Sequence, residues 1–284
     1  NIKNINKDIS KAKNLLNIKK IDLIIDCCAE PAIEQSRKEV DRVFNTNLLG
    51  TLNILKKCVR DKANIIFLSS SRVYSIKEIY KKYKKNKSFL INEKFTTASP
   101  KSLYGVTKLA SEELIKEFSY MNKIRFIINR FGVIAGPWQF GKQDQGFVSL
   151  WVLNHLLRKK LNYIGYEGSG NQIRDILHID DVCRLILTQI LKMNKINNQI
   201  FNVGGGKKNS LDLKELTIYC QKITNNKIKI GKIKKTSIFD IPYFVTNNKK
   251  IEKFYRWKPK KNIILILKDI YNWAITNKKL LKRM

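Results

Sequence analysis

Asn64-Ile65-Ile66-Phe67-Leu68-Ser69-Ser70-Ser71-Arg72-Val73-Tyr74 runs from a β-branched apolar core into three successive hydroxyls. An unbroken apolar run of this length reads as a strand buried on both faces, the habit of parallel sheets. Serines at its end lie at the C-terminal edge of such a sheet, where α/β proteins bind ligands. Taken alone, a serine there is ordinary strand-end capping. Working outward, Ile21-Asp22-Leu23-Ile24-Ile25-Asp26-Cys27 reads as a second buried strand, and about 41–60 as the helix between the two. Beyond the serines, a helix over about 102–120 leads to a strand at Arg125-Phe126-Ile127-Ile128-Asn129-Arg130. The pattern continues with a helix over 147–157, a strand over 200–203, and helices over 213–223 and 262–277. Strands alternating with helices predict an α/β fold with a parallel sheet covered on both faces. Two segments break the rhythm: Glu78 to Lys87, read as an exposed Lys/Tyr-rich insertion, and the Gly-rich loop Gly165 to Gly170.

Composition narrows the function class. The 284 residues are 43% hydrophobic and 28% charged, with Gly 13 and Pro 5, which excludes disordered and collagen-like chains. No apolar run approaches the ~20 residues of a membrane-spanning helix. The opening Asn1-Ile2-Lys3-Asn4 has no signal-peptide core, so a cytoplasmic protein without membrane partners is expected. The net charge of +33 would suit a nucleic-acid binder, yet Arg supplies only 11 of the 56 basic residues. Lys, Asn and Ile are the residues that AT-rich codons favour. No Arg-rich reading face emerges, so no specific nucleic-acid partner is expected; the charge still steers anions toward the protein. Cys27, Cys28, Cys58, Cys183 and Cys220 form neither a zinc spacing nor a disulfide framework. They are expected to be free buried thiols, and no metal site is expected.

Chemistry concentrates in Ser99-Pro100-Lys101-Ser102-Leu103-Tyr104-Gly105-Val106-Thr107-Lys108. On a helix, Tyr104 and Lys108 share a face. An ammonium beside a phenol lowers the phenol's pKa from about 10, which makes Tyr104 a candidate acid/base for a substrate hydroxyl. The bare spacing is weak: Tyr80/Lys84 and Tyr83/Lys87 share it and read as solvated chance matches. The flanking Pro, Ser and Gly distinguish Tyr104, as does the serine-ended strand that precedes it.

Strand-Ser-Ser-x-x-Val-Tyr followed by Tyr-x-x-x-Lys resembles the extended short-chain dehydrogenase/reductase family of nucleotide-sugar epimerases and dehydratases. Three further segments resemble that family in order: Asn47-Leu48-Leu49-Gly50-Thr51-Leu52-Asn53, Arg174-Asp175-Ile176-Leu177-His178-Ile179-Asp180-Asp181-Val182, and Phe201-Asn202-Val203-Gly204-Gly205-Gly206. Gly136-Pro137-Trp138-Gln139-Phe140-Gly141, Asp144-Gln145-Gly146, Gly168-x-Gly170-x-Gln172-x-Arg174-Asp175 and Asp240-Ile241-Pro242-Tyr243 are similar to the CDP-paratose 2-epimerase branch.

The resemblance implies a Rossmann-type doubly wound parallel sheet with a smaller C-terminal substrate-binding part. It implies bound NAD, a nucleotide-sugar substrate, a homodimer or higher homo-oligomer, and a place in O-antigen sugar synthesis. The expected division is a NAD-binding domain over 1–135 and a mainly substrate-binding part over 136–284, with about 173–203 returning to the first. By resemblance Tyr104 is the catalytic acid/base. Lys108 tunes it and holds the nicotinamide ribose, and Ser70 orients the substrate hydroxyl. Ala29, Asn47, Phe131 and Gly132 line the dinucleotide. Arg174 meets the substrate's diphosphate, and Gln145 and Gly146 open a helix whose amides face phosphate.

Two departures matter. The family's dehydratases carry an Asp-Glu pair just after the Ser/Thr; here Ser71-Arg72 stands there, which favours epimerisation or simple redox over water loss. The first glycine is Gly50, so no Gly-rich phosphate turn precedes it. The expectation is therefore a chain lacking the family's N-terminal strands and inactive by itself. A UDP- or GDP-sugar 4-epimerase or reductase, a non-catalytic basic nucleic-acid binder and an inert fragment remain the alternatives.

Overall fold

The computed structural model describes residues 2–31, 39–142 and 145–281. In chain order, α1 (Ala12–Leu16), β1 (Leu23–Asp26), α2 (Val40–Phe44), a π-helical turn (Asn45–Leu49), α3 (Gly50–Asp61) and β2 (Asn64–Ser70) come first. Then come α4 (Ile76–Lys85), α5 (Leu103–Asn122), β3 (Phe126–Phe131), β4 (Val133–Ala135), α6 (Phe147–Leu156), β5 (Leu161–Ile164), β6 (Ile173–His178) and α7 (Ile179–Lys192). The remainder is β7 (Gln199–Val203), β8 (Ser210–Leu211), α8 (Leu213–Thr224), β9 (Ile230–Ile233), β10 (Tyr243–Phe244), α9 (Lys249–Tyr255), α10 (Ile263–Thr276) and α11 (Lys278–Leu281).

These elements fall into two compact units that interleave along the chain. The first takes Asn1–Tyr74, Lys101–Arg130 and Gln189–Phe201; the second takes Ser75–Pro100, Phe131–Thr188 and Asn202–Met284. The sequence-based division instead made one cut near 135 and returned about 173–203.

The first unit is built on a sheet of order β1-β2-β3-β7 among the described residues. β1 and β2 run parallel, with Ile24 opposite Ile65 and Asp26 opposite Phe67. Ile65, Ile66 and Phe67 are each at most 1% exposed, as expected of a strand covered on both sides. Burying side chains of this size stabilises by about 1.5–3 kcal/mol each. Ile54, Leu55 and Cys58 of α3 and Ile115 of α5 pack in the same core.

Helix α5 begins where the Ser102 hydroxyl accepts the Gly105 N–H at 3.2 Å, an N-cap. It ends on Lys123, whose φ of 56° stops the helix. From its side, Glu112 makes a two-pronged ion pair with Arg130 of β3, at 2.6 Å to Nη2 and 3.0 Å from Nε. Ser69 donates to the same carboxylate at 2.5 Å, and Arg130 Nη1 donates to Tyr74 Oη at 3.2 Å. Glu112 is fully buried and Arg130 nearly so. Such a pair is held because every partner is satisfied; removing one leaves a charge without compensation.

In the second unit β4 and β10 flank β6 in parallel, and β8 pairs β6 antiparallel. Trp151, Val152, Ile176, Leu216, Ile266 and Ile270 share its core. Glu78 to Lys87 is not a mere exposed insertion. Residues 76–85 form a helix that buries Ile76 and Ile79, because 76, 79, 80 and 83 fall on one helical face. Nor are the cysteines all buried. Cys58 and Cys220 are, but Cys27 and Cys28 lie just past the end of β1 and are exposed, as is Cys183.

Glu112→Gln should cost about 3–5 kcal/mol, the scale for breaking a buried ion pair, read from the urea midpoint. A loss of about 1 kcal/mol or less, the size of an exposed pair, would contradict this reading of the network.

Candidate active site

At the C-terminal end of β2, Ser70 turns the chain into a short 3₁₀ turn. Its Oγ accepts the Arg72 N–H at 3.1 Å, and its hydroxyl approaches the Tyr104 phenol closely enough to draw its pKa down. Gly105 makes that approach possible. A Cβ built on it would lie 2.2 Å from the Arg72 carbonyl oxygen, closer than any side chain tolerates. The Tyr-Gly step in the sequence therefore has a steric cause.

Tyr104, Lys108 and Glu112 recur every four residues and so lie along one stripe of α5. On a neighbouring stripe, Thr107 and Ser111 hold the π-helical turn. Asn47 Nδ2 donates to Thr107 Oγ1 at 3.1 Å, and Ser111 Oγ donates to Asn47 O at 3.2 Å. The rest of the Asn47 amide grips the loop after β1, accepting from Glu30 N–H at 2.7 Å and donating to Glu30 O at 3.3 Å. Ala29 lies in that loop, half-buried. Thr51 ties the turn to the strand end through Asp26 at 3.2 Å. The π turn supplies the register that aims Asn47 at both partners.

The electrostatics differ from the spacing argument. Burial pushes the Tyr104 phenol up from its ordinary value; the Ser70 hydroxyl and the Arg72 charge pull it down. Lys108 is not among these influences in the structure. Its ammonium lies 4.3 Å over the Phe67 ring and donates to Cys28 O at 3.4 Å. Burial lowers the Lys108 pKa, while Asp26 is the strongest influence raising it. Burial likewise raises Asp26, against Lys108, the Cys28 N–H and Thr51.

Phe131, Gly132, Gln145, Gly146 and Arg174 belong to the second unit. Phe131 ends β3 and is buried; Gly132 N–H donates to Val203 O at 2.9 Å. Gln145 is exposed and pairs with Lys142, and Gly146, with φ +71°, directly precedes α6. Asp144 lies outside the described residues. Arg174 is no loose surface cation: its fork donates to Asp240 Oδ1 at 3.0 Å, Ile241 O at 2.7 Å and Ile173 O at 2.8 Å. Further along that motif His178 caps α7 by accepting the Asp180 N–H at 3.0 Å. Lys261 bridges Asp180 and Asp269, at 2.7 and 2.5 Å.

Sequence reasoning missed Glu112, Arg130, Tyr74 and the influence of Arg72. The signal for Glu112 was present as the next step of the Tyr104–Lys108 stripe.

The sequence profile described as "NAD dependent epimerase/dehydratase family" matches residues 3–204. The chain belongs to that family. It is 28% identical over 243 residues to CDP-paratose 2-epimerase of Salmonella typhi, covering 81% of this chain and 71% of that protein. UDP-glucuronate 4-epimerase 2 of Arabidopsis thaliana is 23% identical over 283 residues, 94% of this chain and 62% of that one. A solved UDP-glucose 4-epimerase of Thermotoga maritima with UDP-glucose superposes at TM-score 0.82 and 20% identity, over 97% of this chain and 84% of that one. The Rossmann-type α/β fold is thus shared.

NAD is the family's cofactor, and the first unit can be tested against it. Lys108 is 1% exposed, yet among the described residues its ammonium, with three donors, makes one long hydrogen bond. A buried ammonium so poorly satisfied suits a pair of ribose hydroxyls, and Lys108 with Asn47 and the loop at Ala29 stands at the strand edge where dinucleotides lie. The residues present fit the nicotinamide-ribose end of the cofactor.

Because Arg72 is one of two influences drawing the phenol down, Arg72→Ala should raise the Tyr104 pKa. The limb of the pH–turnover profile on which activity grows with pH should then move to higher pH. A limb that stays in place or moves lower would remove Arg72 from the electrostatics of the site.

Proposed function

We propose that the protein is a nucleotide-sugar epimerase that inverts one sugar carbon by transient oxidation, acting on a CDP-sugar in the manner of a CDP-paratose 2-epimerase. The observation that carries this reading is the close packing of the Tyr104–Gly105 turn on the Ser70–Arg72 turn at the strand edge, with Ser71-Arg72 where a dehydratase needs carboxylates. NAD, when bound, supplies the acceptor and donor of hydride. Tyr104 takes the proton from the substrate hydroxyl as its carbon is oxidised, leaving a keto sugar. Ser70 holds that oxygen through its hydroxyl. Lys108 binds the cofactor's ribose, and its charge lies one helical turn from the phenol. Reduction on the opposite face, with Tyr104 returning the proton, completes inversion, so nothing is consumed. In the second unit, Arg174 takes the substrate's diphosphate by exchanging its Asp240 contact for phosphate oxygens, an Arg–phosphate fork being the stronger charge-assisted bond.

The relatives' names favour two substrate classes. Similarity to a CDP-paratose 2-epimerase supports the CDP-sugar reading, and similarity to UDP-sugar 4-epimerases keeps a UDP-sugar as the second. Product analysis separates them. The whole gene product, supplied with NAD, should epimerise a CDP-sugar faster than UDP- or GDP-sugars, without net formation of NADH. Tyr104→Phe should lower turnover about 10²–10⁴-fold, the scale of general acid–base work, with the fold intact. Undiminished turnover in the folded variant would exclude Tyr104 from the chemistry, and a dehydrated product would overturn the reaction class.

A further inference from the structure

Helix α4 carries basic residues outward and an apolar-aromatic face inward. Tyr83 on that face stacks against Tyr243, with ring centroids 5.7 Å apart and 24° between the planes. Tyr80 stacks against Tyr166 at 6.3 Å and 28°, and the two phenols hydrogen-bond each other. These tyrosines are therefore held, where the sequence suggested chance matches on a solvated surface.

Tyr166 sits in an unusual backbone. Gly165, Tyr166, Glu167 and Gly168 have φ values of +78°, +49°, +57° and +66°, and Gly170 lies beyond them at +71°. Glycine adopts this region freely; a tyrosine and a glutamate do so at a cost, and persist there only where surroundings over-determine them. Here the Tyr166 N–H donates to Thr236 Oγ1 at 2.7 Å, Gly165 N–H donates to Ile233 O at 2.8 Å, and the Tyr166 phenol is tethered by Tyr80. Burial pushes that phenol's pKa up, so it stays a neutral hydrogen-bonding group.

The loop leads directly into Gln172 and Arg174. Gln172 reaches back across it, Nε2 donating to Ile164 O at 2.7 Å. Its Oε1 is buried without a donor among the described residues. Asp240, which holds Arg174 at 3.0 Å, acts electrostatically on the Tyr166 phenol, as does Arg174 itself. One short stretch thus joins a backbone under tension, an unsatisfied buried acceptor and the arginine assigned to phosphate.

We infer that Tyr80 is a positioning residue for the nucleotide end of the substrate. Its hydroxyl, acting through Tyr166, fixes the left-handed loop that aligns Gln172 and Arg174. The inference rests on the nucleotide-sugar reading above, and it makes α4 a specificity element and not a decoration of the fold. Losing the hydroxyl while keeping the ring leaves the stack intact and releases the tether. Affinity for the nucleoside diphosphate falls, and the chemistry at Tyr104 is untouched.

Calorimetric titration of CDP, UDP and GDP into the wild type, Tyr80→Phe, Tyr166→Phe and the double variant tests this. Each single variant should bind the preferred nucleotide about tenfold more weakly, the worth of one hydrogen bond of ordinary strength. The double variant should bind no worse than either, because both remove the same bond. In turnover, KM for the nucleotide sugar should rise with kcat at saturation unchanged, and Tyr83→Phe should match the wild type. A wild type that binds while Tyr80→Phe binds equally well would overturn the inference, as would losses that add in full or fall on kcat. A wild type that binds none of CDP, UDP and GDP would overturn the nucleotide-sugar reading itself, and with it this one.

Discussion

The two-pronged contact between Glu112 and Arg130 sets the position of α5 on its sheet. Both charges are out of water, and each side of the pair has a further partner: Ser69 binds the carboxylate through Oε1 and Tyr74 the guanidinium through Nη1. Charge-assisted bonds of this geometry are directional as well as strong, so the helix has little freedom to slide or rotate. Since Tyr104 and Lys108 lie two turns and one turn before Glu112 on the same stripe, fixing Glu112 fixes them. Gly105 then lets the first turn close on the Ser70–Arg72 turn to a distance that no other residue allows.

Labour is thereby divided along one helix. The Tyr104–Lys108–Glu112 stripe faces the strand ends, and the Thr107–Ser111 stripe clamps the π turn, which aims Asn47 at the loop after β1. Each stripe repeats at the helical period, so one rigid element positions groups from three parts of the chain. The phenol held this way is half-buried and biased toward its neutral form, with Ser70 and Arg72 opposing that bias. Such a group gives up its proton only when a nearby cation or hydrogen-bond donor stabilises the phenolate. Ser70 and Arg72 are the groups placed to do so here.

Much of this was legible in the residues, and the exceptions are instructive. The strands around Ile66 and Ile128 were readable because they are buried on both faces and so nearly continuous in apolar residues, whereas β1, also read as buried, leaves Ile25 39% exposed. Helix α5 was readable from its cap and its apolar pattern. β6 and α7 went unread as elements, since the motif Arg174 to Val182 mixes charge with apolar residues across the strand–helix junction and shows no clean period. Helix α4 was mistaken for an insertion because its lysines outnumber its four inward residues. The pairing of Tyr80 with Tyr166 joins segments far apart in sequence, and no local pattern carries it. The influence of Lys108 on Tyr104 was expected from their spacing, from the flanking Pro, Ser and Gly, and from the family resemblance. Spacing puts two side chains on one face but does not say toward which neighbour a flexible ammonium turns, and here it turns to Cys28 O and the Phe67 ring.

The proposed reaction requires a carbon that is oxidised and reduced again within one binding event, with Tyr104 moving the proton. A nucleotide sugar carrying deuterium at the inverted carbon tests this most directly. Hydride that leaves and returns without reaching water keeps the label, so the epimerised product should retain its deuterium, and unlabelled substrate turned over in heavy water should gain none at that carbon. Label lost to solvent during inversion would mean deprotonation of the carbon itself, and would contradict transient oxidation.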